Sequence, residues 1–212
     1  MNALEAFKQT NERAVKLVEL HKSLNPIGKP HAEHSDILRA AVVISVSAMD
    51  AYFHTKITEK TARFVRAKKG VHLPGRLVQI IKDGASHDRL IEFMFKDKPL
   101  SHIASLVRKA IEDHTYQNSG KIEEGLKILG VDDLWFQIGK KLQISKDRAK
   151  KYVQGYVDRR HRIVHRGDLG TAMKNKNKLR NITRFYADQC VKSVGKYIWA
   201  IDSIVEAKVP QA

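Results

Sequence analysis

Residues 156–168 read Tyr-Val-Asp-Arg-Arg-His-Arg-Ile-Val-His-Arg-Gly-Asp, and the stretch is helical in its periodicity. At about 100° per residue, Ala149, Val153, Tyr156, Val157, Ile163 and Val164 fall on one apolar arc. Gly167 is the residue type that commonly ends a helix. Arg160 lies in the middle of the arc, and a cation centred on a core-facing stripe requires a partner or a task. His161, His165, Asp158 and Gln154 line the adjacent flank, so the imidazoles sit beside the arginine. An arginine and a histidine in that arrangement can bind a phosphate and move a proton.

Working outward, the same period of three and four recurs along the chain and strand signals are nearly absent, which predicts an all-α protein. Ser145 is placed to cap the helix that carries the arginine. A loop over 167–177 is expected to lead into a last amphipathic helix with Leu179, Ile182, Tyr186, Val194, Ile198 and Ile201 on its apolar side. A first helix is predicted over 4–24 and a second over 35–67, with Ser35 as its N-cap. The middle, 71–144, reads as shorter helices broken at Gly84, Lys98-Pro99, residues 118–120 and Gly130. The simplest architecture is one domain, 1–212: a bundle with a four-helix core, two long helices from each end, and 71–144 as a helical insertion or accessory segment.

The second helix is apolar in almost every direction, from Leu38 through Val42, Val46 and Met49 to Phe53, and such a helix is buried on most sides. Asp50 sits inside it, with Ser47 one turn earlier. A buried carboxylate needs a partner, and Arg160 needs an acid, so an Asp50–Arg160 contact is expected. The alternative is that Asp50 bonds a local group or faces a solvent channel.

The chain has 212 residues, 42% of them apolar, enough for a real core. Lys and Arg total 39 against 23 acids, a formal charge of +16, which suits a polyanionic partner. The plainer reading of that charge is a basic protein with no such partner. One cysteine, Cys190, excludes an intrachain disulfide framework and any multi-cysteine metal site; its apolar neighbours predict a buried, inert thiol. The N-terminus lacks the pattern of a secretory signal. The longest apolar run, 40–53, is short for a bilayer and interrupted by Ser45, Ser47 and Asp50, so no membrane association and a cytoplasmic location are expected.

The segment from Arg160 to His165 resembles the Arg-x4-His motif of the HEPN superfamily, with His161 as the polar residue that follows the arginine. Ser-Ala-Met-Asp-Ala-Tyr-Phe at 47–53, together with Arg-Arg-His-Arg-Ile-Val-His-Arg-Gly-Asp at 159–168, is similar to the RiboL-PSP-HEPN subgroup in particular. The likeness covers roughly the first and last thirds of the chain. It implies a metal-independent endoribonuclease, usually a homodimer with its two motifs facing each other, acting in anti-phage defence, toxin–antitoxin or RNA-processing systems. Carried to this sequence, Arg160 and His165 would be the catalytic pair and His161 the supporting polar residue. Asp50, Ser47 and Asp158 would support them. The resemblance also admits non-catalytic RNA-binding members.

The residues fit that chemistry. Cleaving RNA without a metal requires removing the 2′-hydroxyl proton, stabilising a phosphorane and protonating the 5′ oxygen. Histidine suits the proton transfers and arginine the phosphorane. His165 falls in the last helical turn, where the dipole favours positive charge, a setting for an acid rather than a base. One chain is then short of an acid–base pair, and two facing motifs would supply it. Arg159, Arg162 and Arg166 point in more exposed directions, where they can grip phosphates or form a solvated basic face. Lys174, Lys176 and Lys178, in the loop after the motif, are placed to touch RNA.

Other sites are weaker. His161 and His165 have the i, i+4 spacing of a zinc pair but lack an evident third ligand, so no metal or other cofactor is expected. His31 and His34 read as surface, the paired lysines 68–69, 140–141 and 150–151 as RNA-facing or simply solvated, and Trp135-Phe136 as core. No phosphate-binding glycine loop or nucleophile elbow occurs. Three functions fit: the ribonuclease, a non-catalytic RNA-binding module of the same fold, and a protein-interaction bundle with an acidic partner such as an antitoxin or regulatory protein.

Overall fold

Asn2 opens helix α1 (Ala3–Leu24) with a reciprocal cap: its side chain accepts from the Glu5 amide, and Glu5 accepts from the Asn2 amide. The computed structural model describes residues 1–26, 32–68, 72–116, 118–170 and 178–209. A single 3-10 turn, Ala32–His34, leads into α2 (Ser35–Ala67), so His34 and not Ser35 occupies the capping position. Then follow α3 (Gly75–Gly84), α4 (His87–Phe95), α5 (Pro99–Ile111), α6 (Ser119–Lys127), α7 (Leu134–Leu142), α8 (Lys146–Arg166) and α9 (Arg184–Lys208). Among the described residues there is no strand, only an isolated antiparallel bridge between Leu169 and Leu179. The fold is all-α, as the periodicity predicts.

Helix α2 is the axis of the bundle. Sixteen of its residues are buried, and it packs against α1, α5, α8 and α9. By length and composition α2 is long and apolar enough to cross a membrane, contrary to the estimate from residues 40–53. Its apolar residues, among them Leu38, Val42, Met49 and Phe53, are instead taken up by the surrounding helices. The middle helices share this core: α5 lies on α2, α3 and α4 lie on α5, and α7 touches both α8 and α9. Trp135 of α7 is fully buried and donates to the Ser119 carbonyl at 3.2 Å, whereas Phe136, expected in the core, is exposed. Cys190 is buried as expected, and burial pushes its thiol up to about 12, which leaves it inert.

A second correction concerns the last helix. Leu179 and Ile182 lie before it; α9 begins at Arg184 because the Thr183 hydroxyl caps the Tyr186 amide. The carbonyls of Arg180 and Asn181 accept from arginine side chains, so this backbone is satisfied without helix.

Far along α2, a polar clamp joins it to α9. Tyr52 donates to Asp202 at 2.8 Å, Lys56 bridges Asp202 and Glu206, and Lys60 pairs with Glu206 at 2.6 Å. Burial alone would raise the Glu206 carboxyl, but the two lysines outweigh it and hold the group below its ordinary value. A lowered carboxyl stabilises the fold above its unfolded-state pKa, and that contribution disappears as pH falls through the folded value. Stability is therefore expected to fall as pH drops below about 4. Urea unfolding at pH 7 and pH 3 checks it: Glu206→Gln should flatten the dependence, and an unchanged slope would refute the assignment.

Candidate functional site

Helix α8 is built as the sequence predicts at both ends. Ser145 accepts from the Arg148 amide at 3.2 Å, and Gly167 closes the helix in the left-handed region at φ 56°, its N–H on the Arg162 carbonyl. Ala149, Val153 and Val157 are buried, but the stripe fades toward the C-terminus: Tyr156 and Ile163 are half-buried and Val164 is 46% exposed. The last two turns run past the core. Arg160, centred on the stripe, is therefore half-buried at its edge, while His161, His165 and Arg166 are exposed. The two imidazole rings lie against each other, with centroids 4.5 Å apart and 42° between their planes.

The buried arginine is Arg159, at 8% exposure, not one of an exposed phosphate-gripping set. The chain reverses after Gly167 and brings Asp168, fully buried, back beneath it. Asp168 Oδ2 accepts from Arg159 Nη2 at 2.6 Å and from Arg39 Nε of α2 at 2.9 Å. Arg39 also donates to Ser35, Asp36 and the Arg180 carbonyl, and Arg159 to the Asn181 carbonyl. Burial lowers the Arg159 guanidinium from its ordinary value, against the opposing pull of Asp168. Asp168 itself adopts φ 57°, a left-handed conformation that aspartate tolerates. Gly170 donates to the Lys178 carbonyl, and Arg180 to the Asp168 carbonyl, so residues 168–170 and 178–180 are pinned to each other. Sequence reasoning missed this triad, although an arginine within the apolar face of α2 (Arg39) was the available signal.

The expected Asp50–Arg160 ion pair is not among those between described residues. Asp50 Oδ1 accepts from the Tyr116 backbone amide at 2.6 Å, a partner distant in sequence rather than a local group. Ser47 is not brought to the motif; it lines a cavity between α1 and α2 with Phe7, Thr10 and Ile44. Asp158 is exposed and accepts from Gln154 Nε2 at 2.8 Å, and Gln154 in turn receives the Ser119 amide. Arg162 is half-buried. Lys178 is exposed where the chain is bonded back to Gly170; Lys174 and Lys176, like His31 and Lys69, fall outside the described residues. No group of three or more histidine, cysteine or acidic side chains is placed to hold a metal among the described residues.

The model of the RiboL-PSP-HEPN family matches residues 8–199. The chain belongs to this family. The matched span takes in the middle helices as well as the motif helix, beyond the two ends on which the sequence likeness rests. Among curated proteins and among solved structures, none matches the chain. In this RiboL-PSP-HEPN chain the Arg-x4-His residues stand at the solvent-facing end of α8, held in place by a salt-bridge triad below them.

Proposed function

We propose that the chain is a metal-independent endoribonuclease, with His165 and Arg160 acting on the scissile phosphate and His161 in support. HEPN domains are often ribonucleases, and the observation that carries the reading here is the placement of the motif. Arg160 sits at the rim of the core and both imidazoles are exposed one turn apart, where a phosphodiester can reach all three. The guanidinium fork suits a phosphorane and the imidazoles suit proton transfer to or from ribose oxygens. A second copy facing the first would complete the acid–base pair, so the active form in this proposal is a homodimer. A role in defence or a toxin–antitoxin system, with a restraining partner protein, belongs to the same proposal. Attack by the 2′-hydroxyl leaves 2′,3′-cyclic phosphate ends. The test is incubation of a mixed RNA with the full chain in EDTA: fragments with cyclic phosphate ends are expected, and intact RNA from confirmed dimers would overturn it.

One observation favours a second reading, a non-catalytic RNA-binding module. An open groove along α8 is lined by Arg159 and Arg162, not by Arg160, His161 or His165. That reading predicts salt-sensitive RNA binding and no fragments in the same experiment.

A further inference from the structure

The outer face of α8 and the start of α9 border an open groove of about 1140 Å³. That exceeds the roughly 300–1,000 Å³ that holds a drug-sized ligand. Lys150, Lys151, Arg162 and Arg180 line it, against the carboxylates of Asp147 and Asp158. Two large aromatic side chains stand among these cations without being used by the core: Phe185 is 74% exposed and Tyr152 is 44% exposed. Tyr152 already carries the Arg148 guanidinium 5.9 Å from its ring centre. A fifth lining cation, Arg159, is paired with Asp168 and serves the fold.

Cations that track a backbone, interleaved with exposed rings, are the combination that binds single-stranded nucleic acid, because each base offers a face for stacking and each phosphate a charge. Duplex RNA hides its base faces and would gain nothing from Phe185. The groove lies on the helix that carries the motif: Lys151 and His165 are about 21 Å apart along its axis.

We infer that this groove is an RNA-binding subsite that holds unpaired nucleotides flanking the cleaved phosphate, with Phe185 stacking on a base and Lys150, Lys151, Arg162 and Arg180 taking the backbone. The inference rests on the proposed nuclease only for the position of the scissile phosphate. The groove selects single strands and extends the contact well beyond the motif.

The test measures binding by fluorescence anisotropy with a labelled single-stranded RNA of mixed sequence and with the same RNA annealed to its complement. The full chain carrying His165→Ala is the parent, so that the probe survives. Phe185→Ala is expected to weaken single-strand binding roughly 5- to 150-fold, the effect of losing one stacked base, and to leave duplex binding within about twofold. Lys150→Ala with Lys151→Ala should weaken both probes and lower the salt slope by about 0.7 per lost contact. Unchanged single-strand affinity in Phe185→Ala, or tighter binding of the duplex by the parent, would overturn the inference. So would a Phe185→Ala protein that changes oligomeric mass but not RNA affinity, since the groove would then seat a second copy. Failure of the nuclease reading is seen separately: wild-type protein that cuts no RNA leaves these affinities standing.

Discussion

Replacing Asp168 by alanine is expected to destabilise the protein by about 3–5 kcal/mol, the cost of stranding buried charge. The carboxylate is fully buried and its Oδ2 accepts from two guanidiniums, from Arg39 at 2.9 Å and Arg159 at 2.6 Å. Without it two cations face each other at low exposure, Arg159 left with the Asn181 carbonyl and Arg39 with Ser35, Asp36 and the Arg180 carbonyl. Asp168→Asn separates the contributions. Its amide oxygen can replace Oδ2, and its NH2 would occupy the position of Oδ1, which has no hydrogen-bond partner among the described residues. It keeps the acceptor and loses the charge, so it should fall between wild type and alanine. Urea unfolding of the three proteins at neutral pH gives the comparison. A loss below about 1 kcal/mol for alanine, the range of an exposed pair, would mean that the triad does not anchor the end of α8 to α2.

His165→Ala is expected to do the reverse: to spare the fold and remove the proposed cleavage. The ring is exposed and lies past the end of the core, so its loss should change stability by no more than about 0.5 kcal/mol. Cleavage of a mixed RNA should fall by about 10²–10⁴-fold, the usual contribution of one general acid or base. His161 touches the His165 ring, so His161→Ala tests whether that contact positions the imidazole proposed to be catalytic or is incidental. Cleavage rates measured in EDTA for wild type and both variants settle it, and a His165→Ala protein as fast as wild type would remove the motif from the site.

Much of the bundle was legible in the residues because its helix ends carry their own signals. The Ser145 hydroxyl and Gly167 mark both ends of α8, and the apolar content of α2 fixes its place at the centre. The arginines were not legible in the same way. A helical wheel gives each side chain a direction but not the point along the axis where the core stops, so Arg160 was expected deeper than it lies. Arg159 was placed on the outside because nothing local to α8 needs it; its carboxylate arrives only after the chain turns back at Asp168. The start of α9 failed for the same reason, since Arg39, more than a hundred residues away in sequence, accounts for a carbonyl that would otherwise call for helix. The Asp50 partner was equally remote: the Tyr116 amide comes from the segment between α5 and α6.

The two charged clamps lie on one helix, Arg39 near the start of α2 and Lys56 and Lys60 toward its far end. They are about 25 Å apart along the axis. One fixes α2 against the motif helix and the other against α9. Sliding α2 by a single turn, about 5.4 Å, would separate every one of these pairs at once. The ion pairs at the two ends of α2 thus oppose any slide of this helix past α8 or α9, and hold the long helices in register.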